Sequence, residues 1–234
     1  MSFAAKTVFV TGAAGNLGRA IVAAFEGQGA NTVLLARTRE SLAAAIGPET
    51  ERRLFITADL LDQAALDSAV GVVRKRFGRI DILCNVAGGF RMGSPVHETA
   101  DKDWDFLLDI NARTLLHAVR AVVPQMLEGG GGKIVNVGAF AAQKGAAQMG
   151  AYVAAKSAVI RLTETMAAEL RDKNINVNCV LPTIIDTPEN RAAMPKADPS
   201  KWVAAGDLAN VIVFLASDEA RAIHGAALPV TGLS

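Results

Sequence analysis

Tyr152 is the only tyrosine in the chain, and Lys156 follows it by four residues. On a helix that spacing puts the two side chains on one face. A phenol titrates near 10, so unaided it is a poor acid or base at neutral pH. An ammonium close by favours the phenolate and lowers that value. Such a pair can exchange a proton with a carbonyl or hydroxyl group undergoing reaction. A tyrosine and a lysine four apart are common by chance, so the pair needs support from elsewhere in the chain.

That support lies far upstream. The segment Thr7-Val-Phe-Val-Thr-Gly-Ala-Ala-Gly-Asn-Leu-Gly-Arg runs from a strand-like stretch into a helix-like one. Gly12, Gly15 and Gly18 allow a tight turn and a close backbone approach to a diphosphate. Asn16 and Leu17 lie between them, where a helix start presents free amides and its positive dipole end. Beside such a turn, a carboxylate that grips a ribose 2′-hydroxyl is expected at the end of the second strand. Here that stretch reads Leu34-Leu35-Ala36-Arg37-Thr38-Arg39, with no carboxylate. Arg37 is suited to a 2′-phosphate, so NADP(H) is the expected cofactor and NAD(H) the second choice. A charge-assisted bond of roughly 1.5–3 kcal/mol corresponds to a preference of about ten- to a hundredfold. The bland alternative is that Arg37 and Arg39 only flank a solvated helix start.

The elements that must position these residues follow from the apolar patterning. Strands are expected at 7–10, 32–36, 54–57, 80–86, 133–137, 175–181 and 227–230. Helices are expected at 17–28, 40–45, 63–77, 102–127, 152–172 and 206–216. Near-continuous apolar strands separated by helices mean buried parallel strands joined by crossovers. The expected fold is therefore α/β, a doubly wound parallel sheet of about seven strands with helices on both faces. A single domain over 1–234 is expected, with a long irregular loop at about 183–205 covering the substrate. A run of four glycines at 129–132 reads as a surface turn.

Composition limits the partners. Of the 234 residues, 51% are hydrophobic, and 24 Lys and Arg balance 23 Asp and Glu for a net charge of +1. That excludes disorder and argues against a dedicated nucleic-acid binder. No apolar run reaches the ~18–20 residues of a membrane span, and the first residues lack a signal-peptide pattern. Cys84 and Cys179 lie in apolar strand-like runs and read as buried free thiols, consistent with a cytoplasmic, reducing location. His97, His117 and His224 are scattered without ligand spacing, so no metal is expected.

Taken together, the motifs resemble those of the short-chain dehydrogenase/reductase family, in order and over nearly the whole chain. The glycine turn is 11–18. Asp59-Leu60 is similar to the family's adenine contact. Asn85-Val-Ala87-Gly88 resembles its Asn-Asn-Ala-Gly signature, with Val86 for the second Asn. Asn111 matches the helix asparagine that anchors a proton-relay water, and Tyr152-Val-Ala-Ala-Lys156 matches the catalytic pair. The resemblance implies that Tyr152 protonates the substrate oxygen, and that Lys156 also binds the nicotinamide ribose. It implies that Pro182, Thr183, Ile185 and Thr187 cover the nicotinamide. It also implies a small-molecule substrate and a homodimer or homotetramer built partly through the helices carrying Asn111 and Tyr152.

Three positions depart from the family pattern. Ala139 stands thirteen residues before the tyrosine, where the family has a serine that hydrogen-bonds the substrate carbonyl. Loss of such a donor costs about 10²–10³ in rate on a ketone. Asn16 replaces the middle glycine, and Thr183 replaces the glycine after Pro182. The phosphate turn, the alanine and the last third resemble the quinonoid dihydropteridine reductases of this family, although Arg37 contradicts their acidic residue. An imine or quinonoid substrate lacks the ketone oxygen that the serine serves. Phe90, Met194 and Trp202 are candidates for an apolar substrate wall beside Ala139, with Met92 as a further one. Ser157 and Gln148 are weak candidates for the missing hydroxyl. The expected function is an NAD(P)H-dependent reductase of a carbonyl, quinonoid or imine group. The alternative is a nucleotide-binding sensor or scaffold of the same fold, against which the joint presence of Asn111, Tyr152 and Lys156 speaks.

Overall fold

In the computed structural model, which describes residues 2–234, strands and helices alternate along the chain. They are β1 (Thr7–Thr11), α1 (Asn16–Glu26), β2 (Asn31–Ala36), α2 (Arg39–Ile46), β3 (Arg53–Thr57), α3 (Gln63–Phe77) and β4 (Ile82–Asn85). There follow α4 (Asp101–Leu108), α5 (Thr114–Glu128), β5 (Gly132–Val137), α6 (Gly150–Leu170), β6 (Ile175–Pro182) and β7 (Ile185–Asp186). The chain ends with α7 (Pro188–Ala193), β8 (Val203–Ala204), α8 (Ala205–Leu215) and β9 (Ala227–Val230).

Seven strands form one sheet in the order β3-β2-β1-β4-β5-β6-β9, every neighbouring pair parallel. Alternate residues of each strand feed two separate cores, because side chains alternate across a pleated strand. Phe9, Val33, Leu35, Leu83 and Ile134 pack with α3, α5 and α6. Val8, Val10, Leu34, Cys84 and Val135 pack with α1, α2 and α8 on the other face. A strand buried on both faces needs a continuous apolar run, which is the pattern of the sequence. Each large side chain so buried contributes roughly 1.5–3 kcal/mol.

The order reverses at β1, with β2 on one side and β4 on the other. At such a switch point the loops leaving the C-terminal strand ends diverge and open a crevice. Thr11 ends β1 and bridges this gap: its Oγ1 accepts from the amides of Val86 at 3.0 Å and Ala87 at 3.2 Å. The loop after β4 is thereby tied to the base of the glycine turn.

Three expected elements differ in the structure. The helix expected at 102–127 is α4 and α5 joined by a π-helical turn at Asp109–Arg113. One extra residue in that turn swings Asn111 inward, which a 3.6-residue period does not reveal. The stretch expected to be irregular contains β7, α7 and β8, with β7 and β8 paired as a two-stranded ribbon. Thr187 starts α7, its hydroxyl accepting from the Asn190 amide, and Pro188 occupies the first turn. Both devices favour a helix start. The strand expected at 80–86 is shorter, Ile82–Asn85. Among the described residues, no helix is long and apolar enough to cross a membrane.

Candidate active site

A cleft of about 1360 Å³ lies along the C-terminal ends of β1, β2, β4, β5 and β6. Its floor is the glycine turn. Gly12 has φ of +64°, and a Cβ there would lie 2.9 Å from the Ala87 backbone. A Cβ on Gly18 would lie 2.3 Å from the Gly12 carbonyl oxygen. These positions admit only glycine, because the chain's own backbone already fills the space a side chain would need. No side chain caps the N-terminus of α1, whose cap is Gly15. Free amides on a bare glycine floor fit a diphosphate.

At the end of β2, Arg37, Thr38 and Ser41 line the cleft. Arg37 makes neither a hydrogen bond nor an ion pair among the described residues. Arg39 is engaged elsewhere, paired with Glu49 and lying 5.5 Å over the Phe55 ring. Of the two arginines, only Arg37 is available to a ligand. Thr38 caps α2, accepting from the Ser41 amide. Asp59 and Leu60 form the facing wall.

At the other end stand Tyr152 and Lys156 of α6. Lys156 is buried, and its Nζ donates to the Val137 carbonyl at 2.8 Å. Burial pushes its ammonium down to about 8. Burial pushes the Tyr152 phenol up to about 12. The expected lowering of the tyrosine is not what the structure shows: burial alone raises it, since removing water penalises the charged form. The Tyr152 ring meets Phe90 edge to face, with centroids 5.0 Å apart. No protein group hydrogen-bonds its hydroxyl among the described residues.

Asn111 sits beneath the cleft and does not line it. Its Nδ2 donates to the carbonyls of Gly89 and Leu107, each at 3.0 Å, and its Oδ1 accepts from the Gly89 amide at 3.1 Å. Both amide protons are used, so this side chain has none to offer a relay water. It holds Gly88 and Gly89 in place instead: a Cβ on Gly88 would meet Asn111 Oδ1 at 2.9 Å and Lys156 Nζ at 3.1 Å.

Most of the expected residues come together. Gly12, Gly15, Asn16, Leu17, Gly18, Ala87, Gly88, Phe90, Ala139, Pro182, Thr183, Ile185, Thr187 and Met194 all line the cleft. Three do not. Asn85 lies buried below, its Nδ2 donating at 2.9 Å to Asn136, which in turn donates to Thr163 at 2.8 Å. This chain ties β4 to β5 and α6. Trp202 is buried and does not line the cleft, since an indole that large is better covered by protein than by solvent. Ser157 donates to the Ala142 carbonyl and is not in the wall. Gln148 is also outside it, so neither replaces the missing serine hydroxyl.

The sequence reading missed Thr38 and Ser41, the ring walls Phe106 and Phe140, and Met149. Thr38 serves at once as the cap of α2, accepting from the Ser41 amide, and as part of the cleft wall. Asn16 has a partner that no motif indicates: its Nδ2 donates to Glu189 of α7 at 2.7 Å. Cys84 and Cys179 are free and buried. His117 bonds the Leu60 carbonyl and His224 contacts Asn176. No group of three potential metal ligands occurs among the described residues.

A parallel sheet with a glycine turn at its switch point and one long cleft along its strand ends defines a Rossmann-type dinucleotide-binding protein. The short chain dehydrogenase family model matches residues 6–198, and the chain belongs to that family of oxidoreductases. It is 36% identical to a D-threitol dehydrogenase of Mycolicibacterium smegmatis, over 97% of this chain and 92% of that one. It is 33% identical to a sorbitol dehydrogenase of Cereibacter sphaeroides, over 97% and 96%. Carveol dehydrogenase from Mycobacterium avium, solved in complex with NAD, superposes with a TM-score of 0.88 at 32% identity, covering 98% of this chain and 97% of that one.

Proposed function

We propose that the protein is an NADP(H)-linked reductase of a carbonyl, quinonoid or imine group, with Tyr152 as the proton donor. The observation that carries this reading is the Tyr152 hydroxyl, unpaired in the cleft beside Lys156, at the far end from a bare glycine floor. When bound, the reduced nicotinamide supplies the hydride. The residues of the chain hold the nucleotide and handle the proton. Gly12–Gly18 and the α1 amides take the diphosphate, Arg37 the 2′-phosphate, and Asp59 and Leu60 the adenine. Ala87, Gly88, Pro182, Thr183, Ile185 and Thr187 enclose the nicotinamide end.

A phenol held near 12 is fully protonated at neutral pH, which is the state required to donate. As the proton leaves, the phenolate charge is offset by Lys156 in its ammonium form. Asn111 acts as a positioning residue, fixing Gly88 and Gly89 against Lys156. The carveol dehydrogenase relative holds NAD, so the preference for the phosphorylated nucleotide rests on Arg37. Two relatives are named for polyols, which makes the polyol–carbonyl couple one arm of any assay panel. Oxidation of NADPH followed at 340 nm with carbonyl, quinone and imine probes tests the reading. Tight nucleotide binding without turnover on any probe would favour a sensor of the same fold. Trp104 of α4 and Leu116 of α5 are exposed apolar side chains, which supports assembly into a homodimer or homotetramer through these helices. Light scattering reads that state directly.

A further inference from the structure

We propose that the substrate half of the cleft is built for a flat, apolar ring compound whose reducible bond is C=N, a cyclic imine, rather than for a polyol or a simple ketone. The proposal rests on the oxidoreductase reading above and names its substrate class.

The walls come first. Phe90, Met92, Phe140, Met149, Ile184 and Met194 line this half. Phe90 is 57% exposed and Phe140 40%, large for rings lying in a concavity. Apolar surface gathered in a concave site marks where an apolar ligand is covered. Phe90 also meets Tyr152 edge to face, at an interplanar angle of 89°. A ring system lying against these side chains sits beside the Tyr152 hydroxyl.

The polar side chains of this half are already committed to the protein. Thr183 bonds the Thr231 carbonyl, and Thr114 bonds the Ile110 carbonyl. Asn190 donates to the Ile185 carbonyl, and Thr187 caps α7. Asp109 is held by Arg113. A polyol entering here would find most side-chain partners already engaged and few free to replace the water its hydroxyls give up.

Among the described residues the Tyr152 hydroxyl has no protein partner and is free for the reacting atom, and Ala139, in the same lining, carries only a methyl and adds no donor. A carbonyl oxygen has two lone pairs in its plane and is half satisfied by a single donor. An imine nitrogen has one lone pair and is fully satisfied. In the step itself the imine carbon gains a C–H bond by hydride transfer from the reduced nicotinamide nucleotide, which is oxidised by two electrons. The C=N π pair moves to nitrogen, which takes the Tyr152 proton as an N–H bond. The product is a secondary amine, and the phenolate regains its proton from solvent.

The experiment compares 3,4-dihydroisoquinoline, 1-tetralone and D-threitol as probes, the first two with NADPH and the third with NADP+. Wild type is expected to show a kcat/KM at least tenfold higher for the imine than for the ketone. Ala139→Ser is expected to raise the ketone value tenfold or more without raising that of the imine. Calorimetry on wild type loaded with NADP+, where no hydride is available, is expected to show binding of the imine and none of threitol. A preference for tetralone or threitol, or an equal gain of both bicycles in the variant, overturns the imine assignment and leaves the oxidoreductase reading standing. Failure of every probe to oxidise NADPH or reduce NADP+ overturns both.

Discussion

Asn111 and Gly89 bond each other twice, amide side chain to backbone, in the manner of two paired strand residues. The π-helical turn supplies the reach: it lifts Asn111 out of the helical repeat and aims it at the loop after β4. The partner it holds is the glycine segment that presses on Lys156. Asn111→Ala removes three hydrogen bonds and leaves buried backbone groups unpaired. A loss of about 1–3 kcal/mol is expected by urea denaturation. A larger fall in kcat than in nucleotide affinity would accompany it.

Among the described residues, Arg37 is the one cation at the adenosine end of the cleft without a protein partner. Arg37→Ala is expected to weaken NADPH binding by about ten- to a hundredfold and to leave NADH nearly unchanged. Fluorescence titration of both nucleotides checks it. Equal weakening of the two would remove the 2′-phosphate assignment.

Tyr152→Phe keeps the ring and its contact with Phe90 while deleting the hydroxyl. Reduction is expected to fall by at least ~10², with nucleotide binding preserved. Near-normal turnover would mean that another group gives the proton.

Lys156 makes stability depend on pH in a defined window. Unfolded, it titrates at its ordinary 10.5; folded, burial brings it down to about 8. Below pH 8 both states carry the proton, and the cost of the buried charge is present in full. Between pH 8 and 10.5 the native state has released it while the unfolded state retains it, so stability rises with pH. Relative to Lys156→Met, the wild type should gain up to about 3 kcal/mol between pH 7 and pH 10. Urea midpoints of the two proteins at both pH values give the difference, in which Tyr152 and other groups cancel. A flat difference would show that Lys156 is not desolvated.

Gly18 and Gly71 form a matched pair. A methyl on Gly18 would strike the backbone of Gly12 and Ala13, which has no flexible end to yield. Gly18→Ala is expected to cost roughly 1–3 kcal/mol and to abolish nucleotide binding. Gly71 lies within α3 with nothing within 4 Å of a new Cβ. Gly71→Ala should stabilise by roughly 0.5–1 kcal/mol. Thermal unfolding of both variants, with and without NADPH, reads the contrast.

The sheet was legible because strands buried on both faces must be apolar throughout, and crossovers must separate parallel neighbours. The glycine turn was legible because only a missing Cβ permits its contacts. The π-helical turn was hidden, since Leu108-Asp-Ile-Asn-Ala reads as unbroken helix and the widening is decided by the Asn111 bonds to a loop twenty-two residues away. The titration of Tyr152 was misjudged for a similar reason: spacing reveals that Lys156 is near but not how little water reaches either group. Trp202 was placed by its proximity in sequence to the covering loop, whereas in the structure it is buried and outside the cleft lining.

The bond from Asn16 to Glu189 joins the turn that receives phosphates to the short helix that covers the cleft. A carboxylate thus already stands at the amide end of α1 before any nucleotide arrives. A diphosphate approaching the free α1 amides meets that carboxylate as a like charge, so Glu189 opposes its arrival. In stopped-flow measurements Glu189→Ala should take up NADPH faster than wild type, and unchanged rates would separate the cover from the turn.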